Sequence, residues 1–170
     1  MAWGDPFSDL DELIHRVYAY VAYRIGDVPD ADDVTSETFA RALRRRETYD
    51  PAKGPPVAWL LGIARRCISE QLAAQPTPSA TVAEASDGVA FEDETLRRVE
   101  VGRAVATLVP RDRELVALRY GADLTARQIG ELVGMRTNAV EVALHRALAE
   151  LRPLLAAESE DELRVAPQAL

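Results

Sequence analysis

Residues 122–155, ADLTARQIGELVGMRTNAVEVALHRALAELRPLL, decide the fold of this chain. Thr125 can cap a first helix, and Gln128 three residues later completes a capping box. Gly134 then ends that helix, because glycine readily takes the left-handed conformation that closes a helix. A short helix, a glycine turn and a longer amphipathic helix are the pattern of a helix-turn-helix. An αα-hairpin of any helical bundle would show the same spacing.

The second helix of this pair, capped by Thr137 or Asn138, is predicted to be amphipathic. Its apolar stripe consists of Val140, Ala143, Leu144, Ala147, Leu148 and Leu151. The roughly opposite face consists of Asn138, Glu141, Val142, His145, Ala149 and Arg152, with Arg146 at its flank. We expect the first face to join a core and the second to remain outside it.

Composition limits the class of protein. With 170 residues the chain has room for one ordinary domain or two small ones, and its 48% of hydrophobic residues suffices for a core. One cysteine, Cys67, and two histidines exclude a disulfide and the usual zinc sites. No apolar run approaches the roughly 20 residues of a membrane span, and no secretory leader is visible. The sequence therefore predicts a soluble, cytoplasmic protein without membrane insertion, structural metal or cofactor.

The net charge of −8 is unfavourable for a protein that binds nucleic acid. The acidic residues are concentrated in the middle of the chain and in its tail. Residues 108–155, which include the helix-turn-helix pattern, contain seven arginines and six acidic residues. Even this part of the chain is therefore only slightly basic.

Three helices are predicted in the first half of the chain. The first covers residues 9–25, with Asp9 and Glu12 as a capping box. The second covers residues 30–46, with acids in its first turn and arginines near its end, a polarity that helix stabilisation alone would explain. The third covers residues 57–74. Its inward stripe consists of Val57, Leu60, Leu61, Ala64, Cys67, Ile68 and Leu72.

The loop between the second and third helices, ETYDPAKGPP at residues 47–56, contains three prolines and a glycine and is predicted to be rigid. Trp59 follows it, off the inward stripe and near Arg65 and Arg66. A tryptophan beside two arginines suits a base stacked on the ring, with phosphates held alongside. A half-buried tryptophan with two solvated arginines fits the spacing equally well, so both interpretations stay open.

Residues 75–90 are small and polar without periodicity, which predicts a flexible, mildly acidic linker between two small helical domains. A helix is predicted from residue 91 to residue 108, and another after Pro110. The inward residues of the former are Leu96, Val99, Val105 and Ala106. The acidic residues 156–170 are weakly patterned and are predicted to be disordered.

Three motifs, in this order, resemble the extracytoplasmic-function (ECF) sigma factors, the smallest class of the sigma-70 family of bacterial RNA polymerase. DADDVTSETFARAL, residues 30–43, is similar to the family's core-binding helix, and YDPAKGPPVAWLLGIARR, residues 49–66, to its −10 reading loop and helix. Residues 108–152, from LVPRDRELVALRY to the end of the second helix, are similar to its −35 reading domain. The helix-turn-helix alone would also fit many bacterial activators. The WLLGIARR segment upstream of it distinguishes a sigma factor from those activators.

The resemblance implies an all-α fold of two small helical domains joined by a flexible linker. Residues 1–74 would form the domain for core polymerase and the −10 element, and residues 75–90 the linker. Residues 91–155 would form the helix-turn-helix domain for the −35 element, followed by the acidic tail 156–170. The implied function is promoter recognition and transcription initiation as a polymerase subunit, not as an enzyme.

The resemblance also implies partners: bacterial RNA polymerase core, promoter DNA and an anti-sigma factor, with association with the nucleoid in the holoenzyme. The first domain would dock on the clamp helices of the largest subunit through Asp32, Asp33, Glu37 and Phe39. The second domain would bind the flap of the second-largest subunit. The −10 element would be contacted by Tyr49, Asp50, Lys53, Trp59, Arg65 and Arg66. The −35 element would be contacted by Arg136, Thr137, Asn138, Glu141, Val142, His145 and Arg146.

The chain departs from the family's pattern at several positions. Glu141 and Ala143 stand where relatives often have basic residues, and Ser36 stands where glutamine is common. Residues 70–75, EQLAAQ, replace a basic cluster that often follows the −10 helix. Because phosphate contacts supply much of the affinity for DNA, we expect the free chain to bind DNA weakly. Delivery by the polymerase would then supply the affinity through effective concentration.

The net charge of −8 and Glu141 also allow a second hypothesis, a sigma mimic that occupies an anti-sigma factor without reading DNA. Stoichiometric recovery of core polymerase would count heavily against such a mimic. An enzyme is not indicated, because the scattered Asp, His and Ser residues show no nucleophile elbow, phosphate-binding loop or metal-ligand spacing.

Overall fold

A computed structural model describes residues 5–26, 29–74 and 101–165 of the chain. Every regular element in these ranges is helical, so the predicted all-α fold is confirmed. The first group of helices consists of α1 (Leu10–Ile25), α2 (Pro29–Arg44) and α3 (Pro56–Ala74). The second group consists of α4 (residues 101–107), α5 (Pro110–Val116), the π-helical turn Ala117–Gly121, α6 (Ala126–Val133) and α7 (Thr137–Val165).

Helix α1 begins one residue after Asp9, whose side chain makes no capping hydrogen bond. The predicted capping box of Asp9 and Glu12 is therefore wrong. Glu12 instead accepts a hydrogen bond at 3.3 Å from Nη1 of Arg16, one helical turn further along. This pairing at a spacing of four residues turns the carboxylate away from the start of the helix.

The three helices of the first group enclose an apolar core. Helix α1 contributes Leu13, Val17, Tyr20 and Val21. Helix α3 contributes Val57, Leu60, Leu61, Ala64, Cys67 and Ile68, as predicted. The prediction for Leu72 is wrong, since its side chain is 49% exposed. It lies in the last turn of α3, where the neighbouring helices no longer cover it.

Helix α4 packs inward through Ala104 and Val105, and the chain then buries Leu108. The prediction for Val105 is confirmed, whereas Ala106 is exposed. Among the described residues of α4, Val101 also packs against the core, and Ala106 falls on the other side of the helix. The remaining predictions for this segment, Leu96, Val99 and the linker 75–90, lie outside the described residues.

The helix-turn-helix has the predicted local geometry. Oγ1 of Thr125 accepts a hydrogen bond from the backbone N–H of Gln128 at 3.2 Å, and Oε1 of Gln128 accepts one from the N–H of Thr125 at 2.9 Å. Gly134 ends α6 in the left-handed conformation, with a φ of 73°. Helix α7 begins at Thr137, so Thr137 and Asn138 lie in its first turn rather than before it. Its predicted stripe is buried at Val140, Ala143, Leu144, Ala147 and Leu151 and partly buried at Leu148.

Helix α7 continues through Pro153 as far as Val165. The prediction of a disordered tail from Ala156 is therefore wrong for residues 156–165, and residues 166–170 lie outside the described residues. The segment AAESEDEL is rich in Ala, Glu and Leu, which favour helix. It also extends a helix that already exists, so no new nucleus has to form. Pro153 itself costs the helix one backbone hydrogen bond, and its ring crowds the carbonyl of Ala149, four residues earlier.

The two groups of helices pack against each other. Helix α1 lies along the π-helical turn and α5, and α3 contacts α6. The buried residues of both groups form one continuous apolar core. In the part of the chain that the structure describes, no helix is both long and apolar enough to cross a membrane.

Candidate polymerase and nucleic-acid interfaces

Helix α2 presents a line of residues to solvent that is both acidic and apolar. Asp32, Ser36, Phe39 and Leu43 follow one another at helical spacing, so they share a face. Asp32, Ser36 and the neighbouring Asp33 are exposed, and Phe39 is half-buried against the core. Leu43 is 56% exposed, although its neighbour Ala42 is buried. The sequence prediction included Asp32, Asp33 and Phe39 but missed Leu43, which the spacing of four residues from Phe39 could have indicated.

Glu37, a predicted contact for core polymerase, is engaged by its own helix. Its Oε1 lies 2.6 Å from Nε of Arg41 and 3.5 Å from Nη2 of Arg44. Arg41 also donates two hydrogen bonds to the carboxylate of Glu70 on α3, at 3.0 and 2.6 Å. These bonds to Glu70 and Glu37 raise the pKa of Arg41, and the Arg41 bond lowers the pKa of Glu70. The charge of Glu37 is therefore largely balanced within the chain.

Glu70 stands in the segment where a basic cluster was noted as missing. The bidentate bond from Arg41 gives this glutamate a structural role, because it joins α2 to α3. A lysine or arginine at position 70 would instead repel Arg41. The departure from the expected basic cluster therefore has a structural counterpart at this position, a bond between α2 and α3.

The loop before α3 is held by its own polar groups. The backbone N–H of Ala52 donates to Oδ1 of Asp50 at 3.0 Å, and Nζ of Lys53 lies 3.8 Å from Oδ2 of Asp50. The hydroxyl of Tyr49 donates to the carbonyl of Gly54 at 3.2 Å. Asp50 and Tyr49, which were predicted to contact the −10 element, therefore shape the loop. Lys53 remains 84% exposed.

Trp59 lies in an aromatic cluster and is half-buried. Its ring centroid is 5.5 Å from that of Tyr49 and 6.4 Å from that of Phe7, with tilted planes. Both interpretations of Trp59 thus have a basis, since one side packs on aromatic neighbours while part of the ring is accessible. The sequence did not predict the contact of Phe7 with Trp59, because two residues so far apart along the chain show no common periodicity.

Arg65 and Arg66, the two arginines of the −10 prediction, have different surroundings. Arg66 is exposed. Nε of Arg65 lies 2.6 Å from Oε1 of Glu114, and its Nη1 donates to the carbonyl of Leu132 at 3.1 Å. Both partners belong to the second group of helices. The structure therefore brings Trp59 and Arg66 to an accessible surface but turns Arg65 towards the helix-turn-helix.

The predicted −35 face is exposed along α7. Val142 is 60% exposed, and the other exposed members are Arg136, Thr137, Asn138, Glu141 and His145. Arg146 lies at the flank, where its Nη2 donates to both carboxylate oxygens of Asp112, at 3.2 and 3.1 Å. Asp112 is only 3% exposed. This buried carboxylate on α5 fixes the direction of the Arg146 side chain. The sequence did not predict the pair, because Asp112 and Arg146 are 34 residues apart along the chain.

The described residues contain no group of three or more His, Cys, Asp or Glu side chains that could hold a metal ion. Cys67 is buried in the core of the first group, as predicted. The surfaces described above are an acidic and apolar face of α2, an aromatic patch with an exposed arginine, and an exposed face on the second helix of the helix-turn-helix.

Two family models match the chain. The model of sigma-70 region 2 matches residues 10–76, and the model of sigma-70 region 4 matches residues 98–151. Their order along the chain is that of the two groups of helices. With the all-helical fold, these two matches define a sigma factor of the sigma-70 family.

The chain belongs to the ECF RNA polymerase sigma factors, which bind core polymerase and direct promoter recognition and transcription initiation. It is 32% identical over 161 residues to the ECF sigma factor BldN of Streptomyces coelicolor. That alignment covers 89% of this chain and 61% of BldN. It is 30% identical over 157 residues to the ECF sigma factor SigK of Mycobacterium ulcerans, covering 85% of this chain and 82% of that protein. Among solved structures, the sigma factor RpoE from Bartonella quintana, in complex with the anti-sigma factor NepR, has a TM-score of 0.71 at 17% identity. That match covers 87% of this chain and 94% of that chain and supports the fold.

Proposed function

We propose that residues 1–74 bind core polymerase and the −10 element, that residues 91–155 bind the −35 element, and that the chain reads promoters only within the holoenzyme. The observation that carries this assignment is the outward face of α7, where exposed Asn138, Val142 and His145 follow the turn of the helix-turn-helix. In such motifs the second helix enters the major groove with its first turns.

The chemistry of this face suits bases as well as phosphates. The exposed methyl groups of Val142 can contact a thymine methyl, and Asn138 can pair with adenine. Glu141 can accept a hydrogen bond from N4 of cytosine. Arg136, just before α7, and the first backbone N–H groups of the helix favour a phosphate. Because Glu141 repels the phosphate backbone, the −35 contact alone should be weak and should depend on delivery by the polymerase.

The −10 element would meet the accessible patch around Trp59. An unstacked base can stack on the free part of this ring, and Arg66 and Lys53 can hold the neighbouring phosphates. Tyr49 and Asp50 would then act by shaping the loop through the bonds described above. Arg65 could join this site only after it leaves Glu114.

The exposed line on α2 supports docking on the clamp helices of the largest polymerase subunit. Asp32 and Asp33 offer carboxylates to basic side chains, while Leu43 and the accessible part of Phe39 offer apolar surface. The second group would bind the flap of the second-largest subunit. An anti-sigma factor is a further proposed partner, in line with the RpoE complex with NepR. We place the chain in the cytoplasm, at the nucleoid when it is part of the holoenzyme.

Run-off transcription with purified core polymerase of the matching organism tests this assignment. Promoter-dependent transcripts from a genome-wide pool of templates are expected only when the chain is added. Their complete absence with an active core would refute the proposal. The second candidate, a sigma mimic, is favoured only by the net charge of −8 and by Glu141. Stoichiometric recovery of core polymerase with the tagged chain would count heavily against it.

Leu43→Ala should weaken the binding of core polymerase about 5-fold, because it removes roughly 1 kcal/mol of apolar contact. The dissociation constant for core polymerase is the quantity to measure. Leu72→Ala is the matched control, because Leu72 is also about half exposed but lies on α3, away from this line. Equal affinities of the two variants would place the polymerase contact elsewhere.

Glu141→Arg should raise the affinity of the full chain for duplex promoter DNA and should steepen its salt dependence by about one phosphate contact. The change replaces a repelled carboxylate with a phosphate-binding group on the exposed face of α7. Titrations over roughly 50–200 mM salt measure both quantities. Glu150→Arg, an equal change of charge at an exposed position of the same helix but off this face, is the control. If the two variants behave alike, the face that contains Glu141 does not meet DNA.

A further inference from the structure

Asp112 and Arg146 form a pair in which one partner is buried and the other is exposed. Asp112 lies buried in the first turn of α5, whereas the side chain of Arg146 on α7 is 66% exposed. Nη2 of Arg146 supplies both hydrogen bonds to the carboxylate. The arginine therefore reaches from the surface of the helix-turn-helix to a carboxylate that lies beneath it.

Stability alone does not account for a carboxylate at position 112. Removing a carboxylate from water is costly, and a well-packed apolar side chain in its place is often at least as stabilising. The pair also gains little from attraction, because water screens an arginine that is mostly exposed. Position 112 therefore carries its charge at a cost, and the group on which this charge acts is Arg146.

Arg146 lies at the border of the proposed −35 face. Asn138, Val142 and Arg146 recur at a spacing of four residues, so they lie on the same side of α7. Arg146 follows the start of the helix at Thr137 by nine residues, or about 13 Å along the helix axis. The major groove is about 12 Å wide. A helix that enters the groove with its first turns therefore brings Arg146 to the phosphates at the edge of the groove.

The pair with Asp112 leaves Arg146 with donors for such a phosphate. A guanidinium group has several N–H donors, and the carboxylate receives its two bonds from Nη2 alone. Within the described ranges, Nε and Nη1 of Arg146 donate to no other group of the chain. The carboxylate thus fixes one part of the guanidinium group, while the remaining N–H groups can donate to a phosphate oxygen.

We propose that Asp112 is a positioning residue for promoter binding, which holds Arg146 in place to bind one phosphate at the edge of the −35 element. A free arginine side chain loses rotamer freedom when it binds DNA, whereas an arginine already held by Asp112 has lost much of this freedom beforehand. The inference rests on the proposed −35 assignment of α7. It adds to that assignment a residue that does not itself touch DNA.

A promoter whose phosphates at the −35 element are replaced one at a time by neutral methylphosphonates tests the proposal in the holoenzyme. With the wild-type chain, replacement of the phosphate bound by Arg146 should weaken promoter binding at least about 10-fold, because it removes a charge-assisted hydrogen bond. Asp112→Asn should weaken binding to the unmodified promoter about 2- to 10-fold, the effect of ordering one long side chain. In this variant the same replacement should matter several-fold less, since a mobile arginine no longer depends on that phosphate.

Two further variants separate positioning from other effects of the substitution. Glu150→Gln also removes one carboxylate charge without a change in size, but at an exposed position of α7. It measures the general effect of charge on binding and should leave the methylphosphonate pattern unchanged. Arg146→Gln, whose amide group can still donate to Asp112, should abolish the effect of that phosphate. Thermal melting should place Asp112→Asn within about 4 °C of the wild type, because a screened pair contributes little to stability.

The proposal is overturned if Asp112→Asn gives the same methylphosphonate pattern as the wild type. It is also overturned if Asp112→Asn unfolds the second group of helices, since Asp112 would then act on the fold, or if Arg146→Gln leaves every phosphate effect in place. Failure of the −35 assignment itself is distinguishable. In that case no methylphosphonate at the −35 element would weaken binding of the wild-type holoenzyme.

Discussion

Gly130→Ala is expected to destabilise the second group of helices by about 1–3 kcal/mol and to remove most transcription that depends on the −35 element. A Cβ atom at this position would lie 2.6 Å from the carbonyl oxygen of Met135. That oxygen belongs to the backbone of the turn between α6 and α7, so it cannot move aside as a flexible side chain would. Alanine gains about 1 kcal/mol of helix propensity over glycine, which offsets only part of the clash.

Gly102→Ala provides the matched control for this substitution. Gly102 also lies in a helix, but a Cβ atom there meets nothing within 4 Å. That variant should melt at the same temperature as the wild type or slightly higher. Thermal melting followed by circular dichroism, together with run-off transcription, compares the pair. Equal melting temperatures would mean that the tight approach of α6 to the turn does not exist in solution.

Trp59→Ala is expected to lower the rate of open-complex formation by about 5- to 160-fold, because stacking of one base on an aromatic side chain contributes about 1–3 kcal/mol. Binding of core polymerase should remain within about 2-fold of the wild type, since the line on α2 is untouched. Permanganate reactivity of unpaired thymines, measured over time, reports the open complex, and a pull-down reports binding to the polymerase.

Phe7→Ala separates the two roles that the structure leaves to Trp59. Phe7 packs on the tryptophan ring but is not among the residues proposed to contact DNA. Its removal should reproduce any loss of stability that comes from the aromatic cluster while leaving the open complex largely intact. If Phe7→Ala impairs the open complex as much as Trp59→Ala does, Trp59 acts as a packing residue and not as a base-stacking one.

The sequence predicted best what depends on neighbours along the chain. The capping box of Thr125 and Gln128, the left-handed Gly134 and the buried stripe of α7 all follow from spacings of a few residues. The same kind of reasoning failed at Asp9, where a competing partner, Arg16, takes Glu12 away from the cap. Spacing along the chain shows which partners are within reach of a side chain. The three-dimensional geometry decides which of these pairings has the lower free energy.

The sequence could not predict the pairs that join distant parts of the chain. Asp112 with Arg146, and Arg65 with Glu114, are separated by 34 and 49 residues and have no common period. Because of these two pairs, two arginines that the sequence predicted as DNA contacts, Arg146 and Arg65, are bound to carboxylates of the chain itself. The net charge of −8 had the same limitation, because it cannot reveal that Glu37 and Glu70 are balanced by Arg41.

The contact between α1 and the residues that follow the π-helical turn joins parts of the chain that a ribosome makes at different times. Arg16 bonds to the backbone of Ala122, 106 residues later. At roughly 5–20 residues per second, synthesis of that stretch takes about 5–20 s. For this interval the first group of helices can emerge and fold before its contacts in the second group exist. Arg65 therefore has no Glu114 to bind until the second group is made, and the contact between the two groups forms only after that.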